Sequence, residues 1–180
     1  MRFKNLITIA ASFAVFGNVY AKSTLTSTGD ALMIAVPTSA FLISTIKNDK
    51  PGQIEFIKSM GVNIALTHAL KFSLKKTSLD KRPNGRHYSF PSGHSSAVFG
   101  GAFFLYHRYG FKYAAPALAL AGLTGYSRVR AKAHHWRDVI GGAALAYGAS
   151  YFLVTKFKDR EVAVNTHIGK GEFLVGVNIK

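Results

Sequence analysis

Apolar residues in this chain fall into six blocks separated by polar, charged or Gly/Pro-containing stretches: Leu6–Val19, Ala31–Ile46, Phe56–Leu74, Ser95–Tyr106, Tyr113–Tyr126 and Val139–Phe157. Each block is rich in Ala, Leu, Phe and Gly and is bounded by charge or by Gly/Pro, so the pattern predicts helices over strands. Asn48-Asp49-Lys50-Pro51-Gly52 is a strong turn, and His107-Arg108-Tyr109-Gly110 ends the helix that Pro91-Ser92 begins. The expected fold is therefore all-α, an up-and-down bundle of about six helices. Beyond Glu161 the pattern changes to a loose alternation (Val162, Val164; Leu174-Val175, Val177, Ile179) around Gly169-Lys170-Gly171, which suits a short β-hairpin. The chain thus divides into residues 1–21, a helical domain over 22–160 and a C-terminal tail over 161–180.

Composition bears on where the bundle sits. Gly100-Gly101, Gly141-Gly142 and the Ala-rich stretches 114–121 and 143–149 resemble the small-residue seams of membrane helix packing. Phe56–Leu74 carries Lys58, Asn63, His68 and Lys71, and the mean hydropathy of the chain is only +0.14, as in a soluble bundle of amphipathic helices. The seams favour a transmembrane bundle, with a soluble periplasmic one as the alternative. His68, on an apolar helix, reads as a packed core histidine. Arg2 and Lys4 precede Leu6–Val19, and Val19-Tyr20-Ala21 suits a signal peptidase, so residues 1–21 are either a cleaved signal peptide or a first membrane anchor.

A chain of 180 residues builds about one domain, and with no cysteine it has neither disulfides nor thiolate metal sites. The formal charge of +15 arises from 23 Lys and Arg against 8 Asp and Glu. Such an excess suits nucleic acid, anionic lipid or an anionic substrate. Ten of the 23 cations lie in two windows, 71–86 and 128–137, bracketed by apolar helices, and no nucleic-acid-binding module is visible. Nucleic acid is therefore set aside as a partner.

Those windows contain three strings: Lys75 with six residues before Arg82-Pro83; Pro91-Ser92-Gly93-His94; and Ser127-Arg128, five residues, His134, three residues, Asp138. Arginine forks and a lysine charge neutralise a tetrahedral oxyanion, and two histidines can divide the work of nucleophile and general acid. His134 and Asp138, four apart, share a helix face, so the carboxylate can hold one ring nitrogen and leave the other free. Only spacing prefers His134 to the adjacent His135. In an up-and-down bundle alternate helix ends lie together, which brings all three strings to one face. The opposite face carries Lys47, Lys50, Arg108 and Lys112, with Arg2, Lys4, Lys156, Lys158 and Arg160 at or near the tails; by the positive-inside rule it is cytoplasmic and the catalytic face periplasmic.

In order and spacing the strings resemble the signature of the type 2 phosphatidic acid phosphatase family, which also includes bacterial nonspecific acid phosphatases and vanadium haloperoxidases. The resemblance covers roughly residues 56–157. It implies that His134 attacks phosphorus to form a phosphohistidine, that Asp138 orients its ring, and that His94 protonates the leaving oxygen. It further implies that Lys75, Arg82 and Arg128 clamp the phosphate while Ser92 and the Gly93 amide hydrogen-bond its oxygens. Ser92 is equally suited to capping the helix it begins. The carboxylates are too few and scattered for a metal centre, so no metal or cofactor is expected.

The function these observations favour is a lipid phosphatase of a bacterial inner membrane, cleaving a phosphomonoester or pyrophosphate. Phosphatidic acid, phosphatidylglycerophosphate, undecaprenyl pyrophosphate and lipid A all fit. A soluble periplasmic acid phosphatase is the alternative, and a vanadium-dependent haloperoxidase the less favoured one. Oligomeric state is not legible.

Overall fold

A computed structural model of the chain describes residues 24–157, 162–169 and 172–179. Five helices make up the body: α1 (Thr24–Ile46), α2 (Lys50–Ser73), α3 (Gly93–Tyr109), α4 (Phe111–Arg130) and α5 (Trp136–Leu153). Two strands, β1 (Val162–Gly169) and β2 (Glu172–Ile179), pair antiparallel beyond them. The block Leu6–Val19, and with it a sixth helix and the choice between signal peptide and anchor, lies outside the described residues. The first described helix starts earlier than its apolar run suggested. Thr24–Asp30 is helical although polar, which places Asp30 inside α1.

Local chemistry sets the helix ends. Asp49 caps α2 by accepting the Gly52 N–H at 3.0 Å, with Pro51 in the first turn where its missing N–H costs nothing. Ser92 caps α3, and Gly110, at φ 88°, turns the chain between α3 and α4 in a conformation that disfavours other residues. Helix α3 is central and touches all four others. Its Val98, Ala102, Phe104 and Leu105 form the core with Val36, Ala40, Ala114 and Ala121. At Gly142 on α5 an added Cβ would lie 2.7 Å from the Ser92 carbonyl oxygen and 3.0 Å from the Ser96 nitrogen, so this helix approaches α3 backbone to backbone.

Only α1, among the described residues, is long and apolar enough by composition to cross a bilayer, which falls short of the expected set of spans. Helix α2 shows why. Its buried positions are Gly52, Ser59, Asn63 and Thr67, with no large apolar side chain among them. Asn63 Nδ2 donates to the Ser96 carbonyl at 2.9 Å, Ser96 Oγ donates back to Asn63 Oδ1 at 2.8 Å, and Thr67 Oγ1 meets Ser96 Oγ at 2.7 Å. Meanwhile Ile54, Ile57 and Ile64 face outward. Averaging these two faces lowers the hydropathy of a helix whose outside is apolar. His68 is on that exposed side and is not the core histidine the sequence suggested.

The end of the bundle opposite the motifs is tied by one arginine. Arg108, 6% exposed, donates through Nε and Nη2 to Asp49 at 2.7 and 2.5 Å and through Nη1 to Glu55 at 3.2 Å and the Thr155 carbonyl at 2.9 Å. Tyr109 donates its hydroxyl to the same Asp49 at 2.7 Å. Arg108 is thus an internal clamp and does not count toward the free positive charge of that face. Lys47 remains there, its ammonium 4.9 Å from the centre of the Tyr113 ring.

Candidate active site

The three strings meet at one end of the bundle, where α2 and α4 finish and α1, α3 and α5 begin. His134, on the short connection into α5, is 3% exposed, and its Nδ1 lies 3.5 Å from Asp138 Oδ2, an ion-pair approach short of a formed hydrogen bond. Asp138 is fully buried. Its Oδ2 accepts the Ser89 hydroxyl at 2.5 Å and the His135 backbone N–H at 2.8 Å, and its backbone carbonyl accepts the Ser92 N–H at 2.9 Å. The last bond joins the starts of α3 and α5, so the second and third strings are fixed to each other through main chain. Burial first, and then the charges of Arg82 and Lys71, push His134 below the usual histidine range against the upward pull of Asp138. A neutral ring whose Nδ1–H faces a carboxylate carries its free lone pair on Nε2.

His94, the second residue of α3, sits in a contact that the motifs do not contain. Its Nε2 is 2.9 Å from Asp30 Oδ1, and the same oxygen accepts Arg128 Nη1 at 2.6 Å. Arg128, 4% exposed, also donates to the Thr26 carbonyl and, through Nε, to Ser127 Oγ at 3.0 Å. One carboxylate on α1 therefore links the second string to the third. Ser92 is buried, and its Oγ accepts from the Ser95 N–H and hydroxyl at 3.4 and 3.1 Å, so the capping role expected for it is the one its contacts show. Gly93 opens α3 with its amide among the unpaired donors of a helix N-terminus.

The first string lies in the 74–92 connection, which Asp80 organises. Its carboxylate takes the Tyr88 N–H at 2.7 Å, the His87 ring at 2.6 Å and the Lys76 N–H at 3.2 Å, and these partners, Tyr88 first, push its pKa down to about 2. Arg82 donates through Nη2 to the Tyr88 carbonyl at 3.3 Å, while its buried Nε has no partner among the described residues. Lys75 is exposed, with its ammonium 5.6 Å from the centre of the Tyr88 ring. Lys71, one turn earlier, is half-buried and donates to the Tyr88 carbonyl at 2.9 Å.

Five of the eight sequence-predicted residues, His134, Asp138, Ser92, His94 and Arg128, are joined through shared hydrogen-bond or ion-pair partners. Arg82 acts electrostatically on His134, Gly93 adjoins His94, and Lys75 stands outermost. Sequence reasoning missed Asp30, Ser89 and Lys71. One signal was available for Asp30: in a chain with 8 carboxylates against 23 cations, each buried or helical acid is worth pairing with a cation. Nothing local distinguishes Ser89 or Lys71.

A sequence profile of the PAP2 superfamily matches residues 8–161, extending the resemblance into α1 and the segment before it. The lipid A 4'-phosphatase of Helicobacter pylori (strain J99) is 43% identical over 70 residues, covering 39% of this chain and 35% of that protein. The lipid A 1-phosphatase of Helicobacter pylori (strain 26695) is 30% identical over 120 residues, covering 64% of this chain and 61% of that protein. This chain therefore spans less than two thirds of either relative. The crystal structure of Aquifex aeolicus LpxE shares the fold, with a TM-score of 0.59 at 22% identity, over 74% of this chain and 87% of that one. With its profile matched across nearly the whole chain and all three strings gathered at one end of a helical bundle, the protein belongs to the PAP2 superfamily.

Proposed function

We propose that this chain is a lipid phosphate phosphatase that cleaves a phosphomonoester through a phosphohistidine at His134, with lipid A as the leading substrate. The observation that carries the reading is the buried His134–Asp138 pair, under the charges of Arg82 and Lys71, at one end of a bundle with exposed apolar side chains on its outside. The two relatives named as lipid A phosphatases support lipid A over other lipid phosphates. Exposed Ile54, Ile57, Ile64, Ile140, Tyr151 and Phe152 around a partly polar interior support a bilayer environment for helices that composition alone does not select. Lys47, Lys50 and Lys112 at the far end support a cytoplasmic placement of that end and a periplasmic active site.

The geometry supports the following chemistry. Neutral His134 attacks through Nε2, forming the N–P bond, while the ester P–O bond breaks and protonated His94 passes its proton to the leaving oxygen. Asp138 holds the Nδ1 proton and offsets the positive charge that develops on the ring. Asp30 holds His94 Nε2, which leaves Nδ1 to deliver the proton. Water then attacks phosphorus, His94 accepts its proton, the N–P bond breaks, and inorganic phosphate departs from a regenerated His134. Arg82, Arg128 and the α3 amides stabilise the charge on the equatorial oxygens.

The test is phosphate release by the protein purified in detergent, assayed on lipid A, phosphatidic acid and a soluble aryl phosphate. Preferential turnover of lipid A supports the proposal. Equal turnover of soluble esters supports a nonspecific acid phosphatase instead, and no release from any of them refutes both.

A further inference from the structure

The motif names Lys75 as the lysine of the phosphate clamp, yet the lysine set against the catalytic pair is Lys71. Its Nζ donates to the Tyr88 carbonyl at 2.9 Å, the same oxygen that takes Arg82 Nη2 at 3.3 Å. A Cβ added at Gly93 would lie 3.9 Å from Lys71 Cε, so the side chain runs to the N-terminus of α3, where the phosphate-binding amide is expected. Its charge acts on His134 alongside that of Arg82. Lys75 by contrast is exposed, its ammonium 5.6 Å from the centre of the Tyr88 ring.

Two cations thus share one neutral carbonyl. Among the described residues neither has a carboxylate within ion-pair distance. Arg82 moreover keeps a buried Nε with no partner. Like charges held together with unmet hydrogen-bonding capacity in a half-buried site call for an anion between them, since leaving such donors unpaired is costly. The N-terminus of α3 supplies further donors at the same place.

We propose that Lys71 binds the substrate's phosphoryl group together with Arg82 and the Gly93 amide, as a clamp cation additional to those of the motif. The proposal rests on the phosphatase reading for its substrate, and on geometry alone for its anion. Lys75, farther out, is left to the edge of the site, where it meets the rest of the headgroup.

The test compares Lys71→Met, Lys71→Arg and Lys75→Met in the full chain in detergent. Vanadate binding is read by calorimetry, and KM and kcat with an aryl phosphate. Loss of one charge-assisted contact predicts that Lys71→Met weakens vanadate binding and raises KM by about tenfold or more. Lys71→Arg should recover most of that, and Lys75→Met should lose less. A merely structural Lys71, tethering the 74–92 connection, would instead lower kcat and melting temperature with vanadate affinity unchanged, and that result overturns the proposal. Unchanged binding in Lys71→Met also overturns it. If wild type binds vanadate through Lys71 but hydrolyses no ester, the anion site stands and the phosphatase reading falls. If wild type neither binds vanadate nor turns over, both fall.

Discussion

Asp30→Asn separates proton donation from phosphate binding, because the carboxylate serves His94 and Arg128 through a single oxygen. The substitution keeps an acceptor at nearly the same place and removes the negative charge. In the wild type that charge stabilises the protonated form of His94, the form that donates to the leaving oxygen, and partly neutralises Arg128. A hydrogen bond to a charged group contributes about 1.5–3 kcal/mol, and Asp30, about one third exposed, retains less of it to solvent screening. About 1–2 kcal/mol of donor stabilisation is then lost, or roughly a 5- to 30-fold fall in kcat for a poor leaving group. An aryl phosphate with a good leaving group needs little protonation and should lose much less. Arg128, relieved of its counter-ion, should hold phosphate at least as well, so KM should stay level or fall. The assay is kcat and KM for two soluble monoesters differing in leaving-group pKa, with circular dichroism as the folding control. Equal losses on both esters, or a raised KM at unchanged kcat, would refute the assignment of Asp30 to the proton donor.

Three further outcomes are expected. Gly142→Ala places a methyl against the Ser92 carbonyl and Ser96 nitrogen, both main chain, so α5 must move from α3 at about 1–3 kcal/mol; a lowered melting temperature together with lost activity checks it, since the same contact aligns the second and third strings. Arg108→Met strands Asp49 at the far end of the bundle and should destabilise by about 3–5 kcal/mol, with kcat per folded molecule retained, as read by detergent unfolding and active-site titration with vanadate. The acid limb of kcat/KM reports the free base that must be neutral to attack, and because burial and two cations depress His134, activity should persist below pH 6.5 and fall only as pH drops through the lowered value. A limb at or above 6.5 would contradict that.

The sequence showed best what depends on local signals. Helix ends at Asn48–Gly52, Pro91–Ser92 and Gly110 are set by capping and turn residues, and an alternating bundle then forces the motifs to one face whatever the details of packing. Contacts between distant segments were not legible. Asp30 meets Arg128 across 98 residues, and its polar surroundings from Lys22 disguised the start of α1, where threonine and serine are helical because the segment packs against α3 and α4. Spacing within the first string selects Lys75, but α2 continues to Ser73 and turns Lys71 toward α3, so only the fold distinguishes the two lysines. Arg108 reads in the sequence as a topogenic surface charge because its partners lie on two stretches distant from it, Asp49 and Glu55 at the start of α2 and Thr155 after α5.

Covalent trapping tests the central claim most directly. Brief incubation with a labelled phosphomonoester, a quench at alkaline pH that preserves phosphohistidine, and peptide mapping by mass spectrometry locate the phosphoryl group. The label should sit on His134 in the wild type and in His135→Ala, and should be absent from His134→Ala together with turnover. Label on His135, or full activity in His134→Ala, would contradict the assignment of the nucleophile.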